Sequence, residues 1–319
     1  MVQSHSPADL TAGPEPVPGI LTSFRRWLLL TGTSACGKIY AALPSPGIAN
    51  PIFIIGCGRS GTTILGTALS RHRDVTYLDE PRHLWVSAYP NTDIWSAAAP
   101  ARGGKLWMTA DDADPVRSRK LARLLRFETL RHRRPVLIEK LPINTFRLSF
   151  LHKIFPAARY VHIYRNGLEV ARSIQRLVDR GNWFGANSYK WDRLVEYARG
   201  KSETEGLPPL CTDAFHKGLL EWRLSTESVV GFLRNMPSNA FVEVNYEHFV
   251  DEPAATVARM LAFIGLDDDP EVNAFVAGTV ARRSSKVGQA EITSRMQAIG
   301  GELLPLSMNG GDGLTRHAA

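Results

Sequence analysis

The sequence predicts an α/β fold of three layers, a central parallel sheet flanked by helices, on three observations. Short, continuously apolar runs recur along the chain, stretches of helical periodicity separate them, and a loop rich in glycine and hydroxyl groups joins the first run to its helix. Pro51-Ile52-Phe53-Ile54-Ile55 has no polar residue, as a parallel strand buried on both faces requires. Ile64, Leu65, Ala68 and Leu69 then repeat at helical spacing. Val75 to Leu78, Pro135 to Ile138, Tyr160 to Tyr164 and Phe241 to Tyr246 are further strand candidates. Helical periodicity runs around 117–131, 144–154, 167–180, 213–234 and 253–264, which supplies the crossovers that parallel strands need.

A 319-residue chain with 44% hydrophobic residues can bury a sizeable core, which excludes a disordered or collagen-like chain. No repeat of fixed period and no linker rich in Pro, Gly or Ser follows residue 51, so 51–319 is expected to form one domain with a helical subregion between about 180 and 236. Residues 1–50 read as a flexible or peripheral extension. Pro7, Pro14, Pro16 and Pro18 mark a tail, and order is expected to begin at Pro51. Phe24, Trp27 and Leu28 share a helical face beside Arg25 and Arg26, which either packs on the domain or touches a membrane surface. Ser23 to Leu29 loosely resembles a twin-arginine signal, but Thr31-Gly32-Thr33 breaks the apolar stretch that export needs. No apolar run nears the roughly 20 residues of a membrane-spanning helix. Cys36, Cys57 and Cys211 make neither a disulfide framework nor a CxxC pair, and a soluble protein in a reducing compartment is expected.

Thirty-eight Lys and Arg against 31 Asp and Glu leave a net charge of +7, which favours an anionic ligand or surface. Gly56-Cys57-Gly58-Arg59-Ser60-Gly61-Thr62-Thr63 lies where backbone N–H groups and a helix N-terminus converge on a phosphate, a P-loop-type arrangement. Its glycines permit positive φ and close backbone approach, and the hydroxyls of Ser60, Thr62 and Thr63 can donate to phosphate oxygens. Thr62 stands where the NTPase loop carries lysine, and the cation is Arg59 instead, which argues against ATP as donor. Gly32 to Ile39 matches the NTPase spacing better, but it precedes the first strand and has Ile39 at the metal-binding hydroxyl position, so it is read as coincidence. A second anion site is expected where Tyr160 to Tyr164 runs into Arg165-Asn166-Gly167 and a helix carrying Ser173, a charged fork and a hydroxyl for one phosphate.

Together these segments resemble the sulfotransferases that use 3′-phosphoadenosine 5′-phosphosulfate, most closely the carbohydrate and protein-tyrosine branch. Gly58-Arg59-Ser60-Gly61-Thr62-Thr63 looks like that family's 5′-phosphosulfate loop, and Tyr164-Arg165-Asn166-Gly167 with Ser173 looks like its 3′-phosphate motif. Leu78-Asp79-Glu80-Pro81-Arg82-His83-Leu84-Trp85 is similar to the Glu-Pro segment, and Glu139-Lys140-Leu141-Pro142 to the lysine-proline segment. Val244 to Phe249, Glu252-Pro253 and Phe263 to Leu266 look like the C-terminal strand and helix, so the resemblance spans about 51–266. The Arg-Lys-Gly motif of the cytosolic branch is only echoed by 282–288.

The resemblance implies a transferase of the sulfuryl group that needs no metal. Backbone amides of 56–63 would cradle the 5′-phosphate, Arg59 would face the phosphate and bridging oxygen, and Lys140 would add a point charge at the transferring group. Arg165 and Ser173 would read the 3′-phosphate. Glu80 would be the general base, expected to be partly buried, with His83 its rival and His162 a satisfied core histidine. No aromatic is singled out for adenine. The acceptor would be a hydroxyl of a carbohydrate, glycolipid or small metabolite, and a cytoplasmic location follows from where the activated donor is normally made.

Trp85, Trp95, Trp107, Trp183 and Trp191 could stack on a ring, although most are expected in the core. Arg117, Arg119, Lys120, Arg123, Arg126, Arg131, Arg133 and Arg134 crowd one helix, read as a solvated face or a surface for an acidic glycan or anionic membrane. Nucleic acid is not expected, because no recognised binding module accompanies the charge. Two alternatives stand beside the transferase reading: a P-loop kinase using ATP and magnesium, and a non-enzymatic anion-binding module in which Glu80 and Lys140 lie far from the loop.

Overall fold

Strands β1 (Ile52–Ile55), β2 (Val75–Asp79), β3 (Val136–Lys140), β4 (Arg159–Tyr164) and β5 (Phe241–Asn245) pair in parallel, in the order β2-β3-β1-β4-β5. The computed structural model describes residues 35–179, 181, 183–280 and 292–304. The readings of 1–34 and of 282–288, including the tail, the Phe24 face and the twin-arginine resemblance, lie outside the described residues. A helix over 35–42, α1, precedes the sheet. Helices α2 (Thr62–Leu69), α3 (Arg82–Ala88), α4 (Pro115–His132) and α5 (Leu148–Ile154) fill the first three crossovers, and α6 (Gly167–Val178) opens the fourth and last. Helices α7 (Tyr189–Arg199) and α8 (Ala214–Leu233) precede β5, and α9 (Tyr246–Asp251), α10 (Pro253–Ile264), α11 (Pro270–Phe275) and α12 (Ser294–Gly300) come after it.

Every residue of β1 is buried because the strand faces a core on each side. Phe53 and Ile55 join the core built with α4, α5, α6 and α8, while Ile52 and Ile54 join the one built with α2, α9 and α10. The chain leaves central β1 for β2 on one side and later crosses to β4 on the other. The crevice beyond the carboxyl ends of these strands is therefore a topological switch point, where open α/β sheets bind ligands. Register sets what meets there: Lys140 pairs with Ile54 of β1 and Asp79 of β2, and the Glu80 N–H extends the ladder to the Lys140 carbonyl at 2.8 Å.

Two expectations need adjusting. Strand β3 runs on to Lys140, so Glu139 and Lys140 belong to the sheet, and Pro142–Phe146 forms a 3₁₀ turn before the helix starts at Leu148. Order also begins upstream of Pro51. Helix α1 packs Tyr40 against Phe127 of α4, and the Ile48 N–H donates to the Ala122 carbonyl. Gly37 and Lys38 of the NTPase-like run sit inside this helix, not in a strand-to-helix loop.

Much of the basic helix is likewise engaged inside the protein. Arg123 donates to the carbonyls of Ser45 and Ala41, Lys120 to that of Ser87, and Arg131 pairs with Glu128, while Arg134 just beyond the helix reaches the carbonyls of Ser70 and Val75. No helix among the described residues is long and apolar enough to cross a membrane.

Two contacts shape the crevice. Gly56 takes φ 146°, and a Cβ there would lie 2.1 Å from the Ile163 carbonyl oxygen, so only glycine lets the chain turn this close to β4. Fully buried Arg147 closes the 92–106 loop by donating to the carbonyls of Thr92, Lys105 and Leu106. Burial pushes its guanidinium down to about 9. Gly56→Ala is expected to cost about 3 kcal/mol through steric overlap and positive φ. Urea denaturation checks this, and a loss under about 1 kcal/mol would show that β4 yields.

Candidate active site

The loop after β1 turns through two left-handed residues, Arg59 (φ 76°) and Gly61 (φ 95°). A Cβ on Gly61 would meet the Tyr246 ring at 2.3 Å, so the ring fixes the loop from above. No side chain among the described residues caps α2, which leaves its first amides free for an anion, whereas α6 is capped by Asn166. The Ser60 hydroxyl is buried and has no hydrogen-bond partner among the described residues. An oxyanion held by this loop would satisfy both, so the residues present fit a phosphate.

The two expected anion clusters meet. Arg59 Nε donates to Ser173 Oγ at 3.1 Å, and Arg165 Nη1 lies 3.4 Å from the Arg59 carbonyl. Arg59 thus bridges the clusters instead of facing only the 5′ side. Partial desolvation, then Arg165 and Arg176, hold its guanidinium below the usual arginine range. Arg176 went unnoticed in the sequence, although it stands one helical turn beyond Ser173 on α6. Three guanidiniums at one corner repel one another, and a polyanion relieves that repulsion. Arg165 also lies 4.5 Å from the centre of the Tyr246 ring, near Glu169 and Glu247.

Glu80 and Lys140 sit on the other side of the loop. Glu80 adopts φ 48°, a left-handed conformation uncommon away from glycine and a mark of functional sites when it recurs there. Its carboxylate receives Lys140 Nζ at 3.0 Å and Arg82 Nη2 at 2.5 Å. Burial alone would raise the Glu80 carboxyl, but Lys140 and Arg82 together hold it below the usual carboxylate range. Its side chain is 33% exposed, so the expected partial burial is present. Lys140 is pinned by a second carboxylate, Asp79, at 2.5 Å, a partner the sequence reading passed over although it immediately precedes Glu80.

Neighbouring loop residues open on different pockets. Arg59, Gly61, Thr62, Thr63, Arg165 and Tyr246 line one of about 350 Å³, together with Phe275. Gly58 lines another of about 110 Å³ together with Glu80, Arg82, Trp95, Trp183 and Lys190.

Sequence reasoning had no means of assembling the second pocket's wall. Lys190 and Glu221 form a buried ion pair at 2.6 Å, and Trp183 Nε1 donates to Glu221 at 2.8 Å. The Lys190 ammonium lies 4.3 Å from the Trp183 ring centre, and that ring leaves no space for a Cβ on Gly58. Trp95 stacks under the Arg82 guanidinium at 3.9 Å.

Other candidates fall elsewhere. His83 does not line the pocket, and its charged neighbours are Glu128 and Arg131 of α4. His162 is buried and pairs with Glu243 across β5, as expected of a satisfied core histidine. Trp85 is core, donating to the buried Glu139 carboxylate, while Trp107 and Trp191 pack on the core's edge. Burial pushes the Glu139 carboxyl up to about 8.

Protein-tyrosine sulfotransferase 1 of Danio rerio is 31% identical over 183 residues, which cover 53% of this chain and 50% of that protein. Its Homo sapiens counterpart is 30% identical over 156 residues, covering 46% and 40%. The chain spans about half the length, or less, of the curated relatives it matches. The sulfotransferase domain of the Synechococcus PCC 7002 olefin synthase aligns over 81% of this chain and 95% of its own, at 15% identity and a TM-score of 0.48. A protein-family model described as the sulfotransferase family matches residues 51–270, from the first strand past the last, and on that match the chain belongs to the sulfotransferase family.

Proposed function

We propose that this protein transfers a sulfuryl group from 3′-phosphoadenosine 5′-phosphosulfate to a hydroxyl of a carbohydrate, glycolipid or small metabolite, with Glu80 as general base. One observation carries the reading: adjacent residues Gly58 and Arg59 line two separate pockets, one with Arg59 and Arg165 as its charged groups, the other with the Glu80 carboxylate among paired charges. In-line displacement needs donor and acceptor on opposite sides of the sulfur, and a loop between two pockets supplies that geometry.

The α2 amides and Ser60 bind the 5′-phosphate; Arg165, Ser173 and Arg176 read the 3′-phosphate; and Tyr246 and Phe275 are the rings at hand for the adenine. Arg59 stabilises the charge that grows on the departing phosphate oxygen. The acceptor oxygen bonds to sulfur as the sulfur–oxygen bond to phosphate breaks, and the acceptor proton passes to the Glu80 carboxylate. Lys140 acts through Glu80, since two carboxylates already hold its ammonium.

A second acceptor reading, a phenolic hydroxyl, is favoured by the weakness of the base. A carboxylate held below its usual range takes a proton most readily from an acidic hydroxyl, and a phenol ionises near pH 10, well below an alcohol. The flat walls of Trp95, Trp183 and Phe146 suit a single aromatic ring. The relatives named above are protein-tyrosine sulfotransferases, and tyrosine is a phenol.

Calorimetry should show 3′-phosphoadenosine 5′-phosphate binding about 100-fold more tightly than ADP without magnesium, since charge-assisted contacts to one phosphate contribute about 1.5–3 kcal/mol each. Equal affinities, or a requirement for magnesium, would favour the kinase alternative. Arg176→Ala should narrow that preference about tenfold. Glu80→Gln should lower turnover of labelled donor at least ~100-fold while the affinity for 3′-phosphoadenosine 5′-phosphate stays within about threefold. Undiminished turnover would remove Glu80 as base.

A further inference from the structure

Lys140 is the most confined cation at the site, with a side chain 2% exposed and an ammonium shared between Asp79 and Glu80. A buried ammonium with one carboxylate partner loses its counter-charge when that partner becomes neutral, a costly state inside a protein. A base in that position resists taking up a proton. Here the second carboxylate changes the balance. Asp79 ends β2 directly opposite Lys140 in the sheet register, at 2.5 Å from its ammonium, and its side chain is 51% exposed. The other titratable groups facing Glu80 are Arg82 from α3, Arg59 from the loop, Tyr77 from β2, which also reaches Asp79, the buried Glu139 from β3, and the mutually paired Lys190 and Glu221 from α7 and α8. Among them Asp79 is the carboxylate that shares Glu80's lysine.

Resting on the general-base reading of Glu80, we infer that Asp79 is a positioning residue that keeps the Lys140 ammonium paired whenever Glu80 carries a proton, and thereby lets Glu80 serve as base. During transfer the acceptor proton moves to Glu80 while Lys140 keeps its contact with Asp79. Glu80, one-third exposed, then returns the proton to solvent. Without Asp79 the ammonium would bind Glu80 alone and hold it more firmly ionised.

The test follows the Glu80 carboxyl directly. In full-length protein labelled with ¹³C at glutamate carboxyls, the Glu80 resonance is the one missing from Glu80→Gln, and its titration is followed from about pH 7 to pH 3. Asp79→Asn should lower its midpoint by about 0.5–1 pH unit, and Asp79→Glu should restore it. In a Lys140→Met background the same Asp79→Asn change should move the midpoint less. An unchanged midpoint in Asp79→Asn, or an equal shift with and without Lys140, would overturn the inference. If Lys140→Met does not fold, Lys140→Gln serves as the uncharged background in its place. Asp79→Asn should also lower kcat about tenfold with nucleotide affinity unchanged. Full turnover by Glu80→Gln would instead strike the base assignment and leave the titration result standing, so the two failures are separable.

Discussion

Gly56 lies so close to the Ile163 carbonyl that a methyl group in place of its hydrogen would overlap it, and the path of the whole phosphate loop follows from that contact. The approach fixes the end of β1 against β4, so Arg59 arrives beside Arg165 and Ser173, residues more than a hundred positions away in sequence. It also directs the loop between two pockets. A loop displaced outward by one side chain would separate the guanidinium cluster from the Glu80 side, the two pockets to which it now contributes adjacent residues.

Charge is arranged by sign around that loop. On one side, Arg165 and Arg176 act on the Arg59 guanidinium as like charges, an arrangement that a bound polyanion would relieve. On the other side the lysines are neutralised within the protein: Lys140 between Asp79 and Glu80, Lys190 against Glu221. Such buried pairs add little net stability, since desolvation offsets the attraction, but they hold side chains in defined places. Trp183 shows the result, held by Glu221 from one side and by Lys190 over its face while its edge rests on Gly58.

The net positive charge has a second use that composition could not distinguish from ligand binding. Arg123, Lys120, Arg134 and Arg147 spend their donors on backbone carbonyls of loops and chain ends. Arginine suits this task because its planar fork reaches two or three carbonyls at once while staying charged. Arg147 in particular closes the loop that presents Trp95 to the pocket holding Glu80, so a buried residue outside that pocket shapes its wall.

The sequence alone determined most of what rests on local pattern, short of the exact ends of β3 and α5 and the helix before Pro51. The apolar run of β1, the glycine spacing after it, the helix face bearing Ser173 and the Glu-Pro step at Glu80 are all written within a few residues, because strand, turn and helix propensities act over that range. Lys140 and Arg165 were legible as residues at strand ends for the same reason. What tertiary structure decided was partnership: Arg59 on Ser173, Asp79 on Lys140, Trp183 on Gly58, and the Lys190–Glu221 pair. These depend on strand order and register and on how helices seat on the sheet. A single sequence carries no periodicity linking positions so far apart, and the contacts exist only once the cores on both faces of the sheet have closed.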